Sequence, residues 1–167
     1  MTIRASGARA RLMMLSELTA ALTAAIVLTG CDPGYRYRPE GWKVVGQSTA
    51  LWSTSIGDVI LEHGGIGGLT INKDIGPEFE IRNRSRHSFV LERAELVTPG
   101  GRQPGKFLTG AVDDVRTVKP GATRRVPVFW DFSQPANEVL GANPQIVLEY
   151  RLNNEPGRLV ITYERVG

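Results

Sequence analysis

Beyond position 31 the chain has neither cysteine nor methionine, and its only imidazoles are His63 and His87. That inventory excludes thiolate zinc sites, thioether copper sites and haem attachment through C-x-x-C-H, so no metal and no cofactor is expected. With a single cysteine in the whole sequence, no disulfide can close within the chain, and stability must come from packing. Charge of one sign is also lacking. The full sequence holds 20 Lys and Arg against 17 Asp and Glu; Arg4, Arg9, Arg11 and Glu17 fall within the first 30 residues, which leaves 17 against 16. A balance that close gives no electrostatic footprint for nucleic acid, and none is expected as a partner. Helical periodicity is scarce too. After residue 31 it lasts no more than about one turn, over residues 135–140, with Gly141 as the stop.

What is present begins with a leader. Arg4, Arg9 and Arg11 precede an apolar run from Leu18 to Leu28, and small residues follow it. This is the order of a cleaved export signal, and the run falls short of the about 20 apolar residues that a membrane-spanning helix needs. Leu28, Thr29, Gly30 and Cys31 then resemble the lipobox of bacterial lipoproteins. That resemblance implies cleavage before Cys31, lipid on its thiol and acylation of the new amine. Two or more acyl chains give stable anchoring where one gives marginal binding. Asp32 resembles the inner-membrane retention residue of enteric lipoproteins, a code that differs between bacterial groups, so the expected location is the cell envelope, lipid-anchored and outside the cytoplasm. The expected division is a signal over 1–30, the lipidated cysteine and a Pro- and Gly-rich tether over 31–41, and a β-sandwich over 42–167.

In that last segment the hydrophobic period is two. Phe79 and Ile81 alternate with Glu78, Glu80 and Arg82; Val126, Val128, Trp130 and Phe132 alternate with Arg125, Pro127 and Asp131. Such alternation marks half-buried strands. Pro127 lacks an N–H, which places it at a sheet edge or with its gap facing outward. Ile146, Leu148, Tyr150 and Leu152, then a turn over 153–157, then Leu159, Ile161 and Tyr163 read as a hairpin. Weaker strands are expected over 42–47, 50–53, 58–63, 69–72 and 88–97. The fold class is therefore all-β, an antiparallel β-sandwich of seven or eight strands. Asn83, Arg84 and Ser85 before one strand, and Pro120 and Gly121 before another, resemble the turns of immunoglobulin-like domains of exported bacterial proteins. The resemblance spans about residues 58–165 and implies architecture only, because the Cys…Trp…Cys core of antibody-type domains is absent.

Candidate sites are few. The run Gly64, Gly65, Ile66, Gly67, Gly68 lacks the spacing and the helix of a dinucleotide loop, and reads as a flexible turn between strands. Arg82, Arg84, Arg86 and His87 form the densest basic patch, able to meet a lipid headgroup or an anionic polymer if the three arginines point the same way. Glu78, Glu80, Glu92 and Glu95 are near enough in sequence to neutralise it. Asp113 and Asp114 lack the alternating spacing of a calcium loop. Their long connection carries Phe107 and Leu108, which either seal the sandwich or touch a partner. Trp130 fits a core face, with Trp42 and Trp52 undecided between core and a stacking site. No nucleophile stands in a triad motif, so no catalytic residue is assigned. The expected function is a non-enzymatic protein-interaction or structural module, anchored to the bilayer through acylated Cys31 and reaching an envelope protein through the long loop or the strand edge beside Pro127. The alternatives are capture of an anionic glycan or lipid on the face of Arg82, Arg84, Arg86 and His87, and a hydrolase using dispersed carboxylates.

Overall fold

The computed structural model of the protein describes residues 34–45, 49–107 and 116–166. In chain order its strands are β1 Tyr35–Pro39, β2 Lys43–Val45, β3 Thr49–Ile56, β4 Val59–His63, β5 Ile66–Gly68, β6 Asp74–Ile75 and β7 Glu78–Asn83. They continue as β8 Phe89–Thr98, β9 Gly101–Pro104, β10 Lys106–Phe107, β11 Thr117–Val118, β12 Thr123–Asp131, β13 Gln145–Leu152 and β14 Glu155–Arg165, with one short helix, α1 Ala136–Leu140. One antiparallel sheet has the order β11-β8-β13-β14-β1-β5, with β9 also on β8; the other runs β10-β12-β7-β4-β3-β2, with β6 also on β12. The protein is an all-β sandwich of two antiparallel sheets around one core, as the alternation predicts. No helix among the described residues is long and apolar enough to cross a membrane.

The inner faces supply that core. Leu61, Phe79, Ile81, Val126, Val128 and Trp130 from one sheet meet Tyr37, Leu91, Leu96, Ile146, Leu148 and Tyr163 from the other, all fully buried. In β8 the inward set changes phase, from Phe89 and Leu91 to Ala94 and Leu96. A β-bulge causes this, since Glu149 faces Arg93 while the next residue, Tyr150, faces Leu91. One extra residue in the strand shifts the two-residue period and keeps both halves facing the core. Strands β6 and β7 share one register on β12, interrupted at Gly76 and Pro77. The Val128 N–H donates to the Pro77 carbonyl at 3.0 Å. Successive N–H groups alternate sides, so the nitrogen of Pro127 faces the other edge of β12, where the described residues place only β10, against Val128 and Phe129. The missing N–H of Pro127 thus costs the β7 ladder nothing.

Four expectations need correction. The long connection between Pro99 and Gly121 is not a plain loop but carries β9, β10 and β11. Residues 35–39, which read as tether in the sequence, form β1, paired with β14 on one side and β5 on the other, with Tyr35 and Tyr37 each 1 % exposed. The flanking prolines and glycines mask an alternation in which Arg36 and Arg38 face outward. Residues 69–72 are a turn rather than a strand, closed by the Asn72 N–H on the Leu69 carbonyl at 3.1 Å. The strand lies just before it, within the glycine run: Gly65 has φ +110°, and a Cβ there would sit 2.5 Å from the Tyr37 carbonyl oxygen, so only glycine permits β1 and β5 to approach. The hairpin turn is also shorter than expected. Asn153 and Asn154 both take positive φ, 54° and 62°, and close it as a two-residue connection, leaving Glu155, Pro156 and Gly157 in β14.

Candidate functional site

The end of β7 is fixed by one side chain. Asn83 is 1 % exposed. Its Nδ2 donates to the carbonyls of His87 and Val118, both at 2.8 Å, and its Oδ1 accepts the N–H of Ser85 at 3.0 Å and the Ser85 hydroxyl at 2.6 Å. All four of its amide valences are used, and the strand stops there because the side chain replaces the next rungs of the ladder. Residues 84–88 turn around this knot, and Arg84, Arg86 and His87 are exposed. Beside them lies a hollow of about 170 Å³ lined by His87, Ser88, Val90, Arg151, Asn153 and Asn154.

The basic patch therefore divides. Arg82 lies on the outer face of β7, where its guanidinium meets Glu62 at 2.6 Å and Glu80 at 2.9 Å. Arg84 and Arg86 lie beyond the strand end, apart from these ion pairs. The neighbouring carboxylates are taken: Glu78 and Glu80 by Arg125, Glu92 by Arg151, and Glu95 by Arg93 and Arg102. No ion pair to Arg84 or Arg86 forms among the described residues.

A second polar feature lies on the outer face of the same sheet. A cavity of about 200 Å³ is lined by Leu51, Glu62, His63, Gly64, Glu78, Glu80 and Arg125. The Arg82 guanidinium first, and Arg125 after it, holds the Glu80 carboxyl below its usual range through hydrogen bonds. His63 forms the cavity's inner wall and is only 3 % exposed. Its Nδ1 donates to the Glu78 carbonyl at 2.9 Å, and its Nε2 accepts the Gly65 N–H at 3.2 Å. An acceptor at Nε2 requires the neutral ring, and burial pushes the imidazole down to about 4. The ring packs on Phe79 at 4.7 Å and edge-on to Tyr163 at 5.7 Å. His63 is thus a core residue with both nitrogens satisfied.

The remaining candidates resolve as follows. Phe107 packs partly buried against the core, with the Arg116 guanidinium 5.7 Å from its ring, so it seals the sandwich. Trp130 is fully buried and donates to the Gln103 carbonyl at 3.0 Å. Trp52 also packs against the core, whereas Trp42 is half-buried beneath the Arg38 guanidinium at 4.0 Å and donates to Glu164 at 3.2 Å. Cys31, Leu108, Asp113 and Asp114 lie outside the described residues. Sequence reasoning missed Asn153, Asn154 and Arg151 as neighbours of the basic turn; they come to it through the pairing of β13 with β8, in which Leu152 faces Phe89, and strand order is not written in the sequence.

The two ends of the sandwich differ. Gly34 and the loop over 69–73 lie at one end, with the Val166 N–H on the Arg36 carbonyl at 2.9 Å. The Asn153 turn and Arg84 lie at the other, separated by the eleven residues of β14, roughly 30 Å at strand rise. The molecule is a two-sheet β-sandwich with a polar, arginine-bearing tip. No protein-family model matches the sequence, and no curated protein matches it.

Proposed function

We propose that the protein is a lipoprotein of the bacterial envelope, held to a membrane through acylated Cys31, whose β-sandwich is a non-enzymatic module that binds another envelope protein. The immunoglobulin-like type belongs to the same proposal, and is supported by the Asn83-to-Ser85 turn that ends β7 and by Pro120 and Gly121 leading into β12.

The observation that carries the reading is an exposed arginine pair at one end of the sandwich, with no ion pair among the described residues. Arg84 and Arg86 are exposed at the tip farthest from Gly34, the first described residue after Cys31, so a partner approaching from the side away from the anchor meets them first. The headgroups of the anchoring membrane are a poor match for that tip, because roughly 30 Å is several times the Debye length of about 8 Å at physiological salt. A hydrolase reading finds little support in the cavity. A general acid needs a raised pKa, and Glu80 is shifted the other way.

The two exposed arginines also support a second reading, capture of an anionic glycan at the same tip. Both are tested by placing a photo-crosslinking residue at Ser88 in producing bacteria and comparing the native chain with Arg84→Ser/Arg86→Ser. A discrete protein adduct that disappears in the variant supports the interaction module. Retention on an anionic glycan that weakens steeply with salt, with no protein adduct, favours the second reading. Absence of both overturns the assignment of the tip.

A further inference from the structure

We propose that the loop carrying Leu69 and Ile71 is seated in the lipid surface beside the anchor, so that the sandwich stands on the membrane by this foot; the proposal rests on the reading of Cys31 as acylated. Leu69 is 51 % exposed and Ile71 is 74 % exposed. Single exposed apolar residues are ordinary. These two are two positions apart in one tight turn, and the turn is held from behind. The Ala136 N–H donates to the Asn72 carbonyl at 2.7 Å and the Phe132 N–H to the Lys73 carbonyl at 2.6 Å, so the loop is a fixed projection of the fold.

Its position relates it to the anchor. Strand β1 begins with Tyr35 paired to Gly68, the residue before Leu69. Gly34 lies closer still: a Cβ built on it would be 2.7 Å from the Gly68 carbonyl oxygen. The chain thus enters the domain against the root of this loop. Only Asp32 and Pro33 separate Cys31 from Gly34, and three residue steps span at most about 10 Å. With residues 35–39 in the sheet, no long tether remains to lift the domain. A lipid-bearing Cys31 holds this end within reach of the headgroup layer, where apolar side chains gain by leaving water. Lys73 and Asp74, both exposed, follow the loop and offset each other, so the loop itself carries no net charge.

The test uses the full-length protein extracted from membranes and reconstituted in phosphatidylcholine vesicles. Cys31 is the only natural cysteine, so when it is acylated a cysteine introduced by Ile71→Cys, or by Arg86→Cys as the distal control, is the sole free thiol for a nitroxide label. Both positions are exposed, so neither change threatens folding. Mass spectrometry of the same preparation reports the lipid on Cys31. The expected result is lipid present, a label at position 71 more accessible to oxygen than to a water-soluble nickel chelate, and the reverse at position 86. Lipid present with position 71 reading as aqueous overturns the foot and leaves the anchor standing. Position 71 shielded from both reagents indicates a second copy on the loop and overturns it as well. No lipid on Cys31 overturns the anchor, and the foot with it.

Discussion

Asn83 and Val118 join the two sheets through one hydrogen bond, the Asn83 Nδ2 donating to the Val118 carbonyl at 2.8 Å. Asn83 ends β7 in one sheet and Val118 belongs to β11 in the other, so the bond crosses the sandwich where the backbone ladders cannot. Asn83→Ala strands the buried Val118 carbonyl and removes three further bonds, while the Ser85 hydroxyl still donates to the His87 carbonyl at 2.8 Å; it is expected to cost about 2 to 3 kcal/mol. Asn83→Asp, which turns a donor into a charge facing two carbonyls, is expected to cost at least as much. Urea unfolding of the purified domain measures both, and losses below about 1 kcal/mol would contradict the role given to this side chain.

His63 makes stability depend on pH in a window of its own. Its imidazole is held neutral down to about 4 in the folded chain, whereas in the unfolded chain it takes up a proton near 6.5. Between these values the unfolded state binds more protons, so stability falls as pH falls, by about 3 kcal/mol across the window. Above 6.5 the contribution is fully present. His63→Phe removes this slope while losing two hydrogen bonds, so the variant is less stable at pH 7.5 and flatter from 6.5 to 4.5. Unfolding free energies at four or five pH values decide it; equal slopes in the two proteins would refute the account.

Much of the fold was legible because burial writes a period of two into β7, β12, β13 and β14. The failures have physical causes. Tyr35, Arg36, Tyr37 and Arg38 alternate as well as any strand, but lie between Pro33, Gly34, Pro39 and Gly41, and local composition argued for a tether. Leu69, Thr70 and Ile71 have strand-forming side chains, yet the ladder had already ended at Gly68. The arginines of the tip look alike in the sequence. What separates them is the stop at Asn83, where the side-chain amide takes over from the ladder and leaves Arg82 on the sheet and Arg84 off it.

The glycine run illustrates the same point and can be tested. Read as a flexible turn, Gly65 should accept alanine at little cost. In the structure it combines φ +110° with a Cβ position 2.5 Å from the Tyr37 carbonyl oxygen, a backbone atom that cannot move without unzipping β1. Gly65→Ala is therefore expected to cost roughly 2 to 4 kcal/mol. It should also raise amide exchange over residues 35–38 ahead of the rest of the sheet. A variant as stable as the native chain would return the run to the status of a loop.

Arg82 and the pair Arg84 and Arg86 should separate cleanly by what each loss does. Arg82 is the first cause of the low pKa of Glu80 and also binds Glu62. In Arg82→Gln the Glu80 carboxyl keeps only Arg125 beside two other glutamates, so its titration is expected to move upward, toward the ordinary carboxylate value. Because a depressed carboxylate adds stability that is present above its unfolded pKa and lost as pH falls through the folded one, the variant also loses stability at neutral pH more than at pH 3. Arg84→Ser/Arg86→Ser touches no ion pair among the described residues, and should leave unfolding within about 0.5 kcal/mol of the native chain at either pH. Carboxyl-carbon NMR titration and paired unfolding curves make the comparison. If the double variant were destabilised while Glu80 ignored Arg82, the charges at the tip would be structural and the division between sheet arginine and tip arginines would fail.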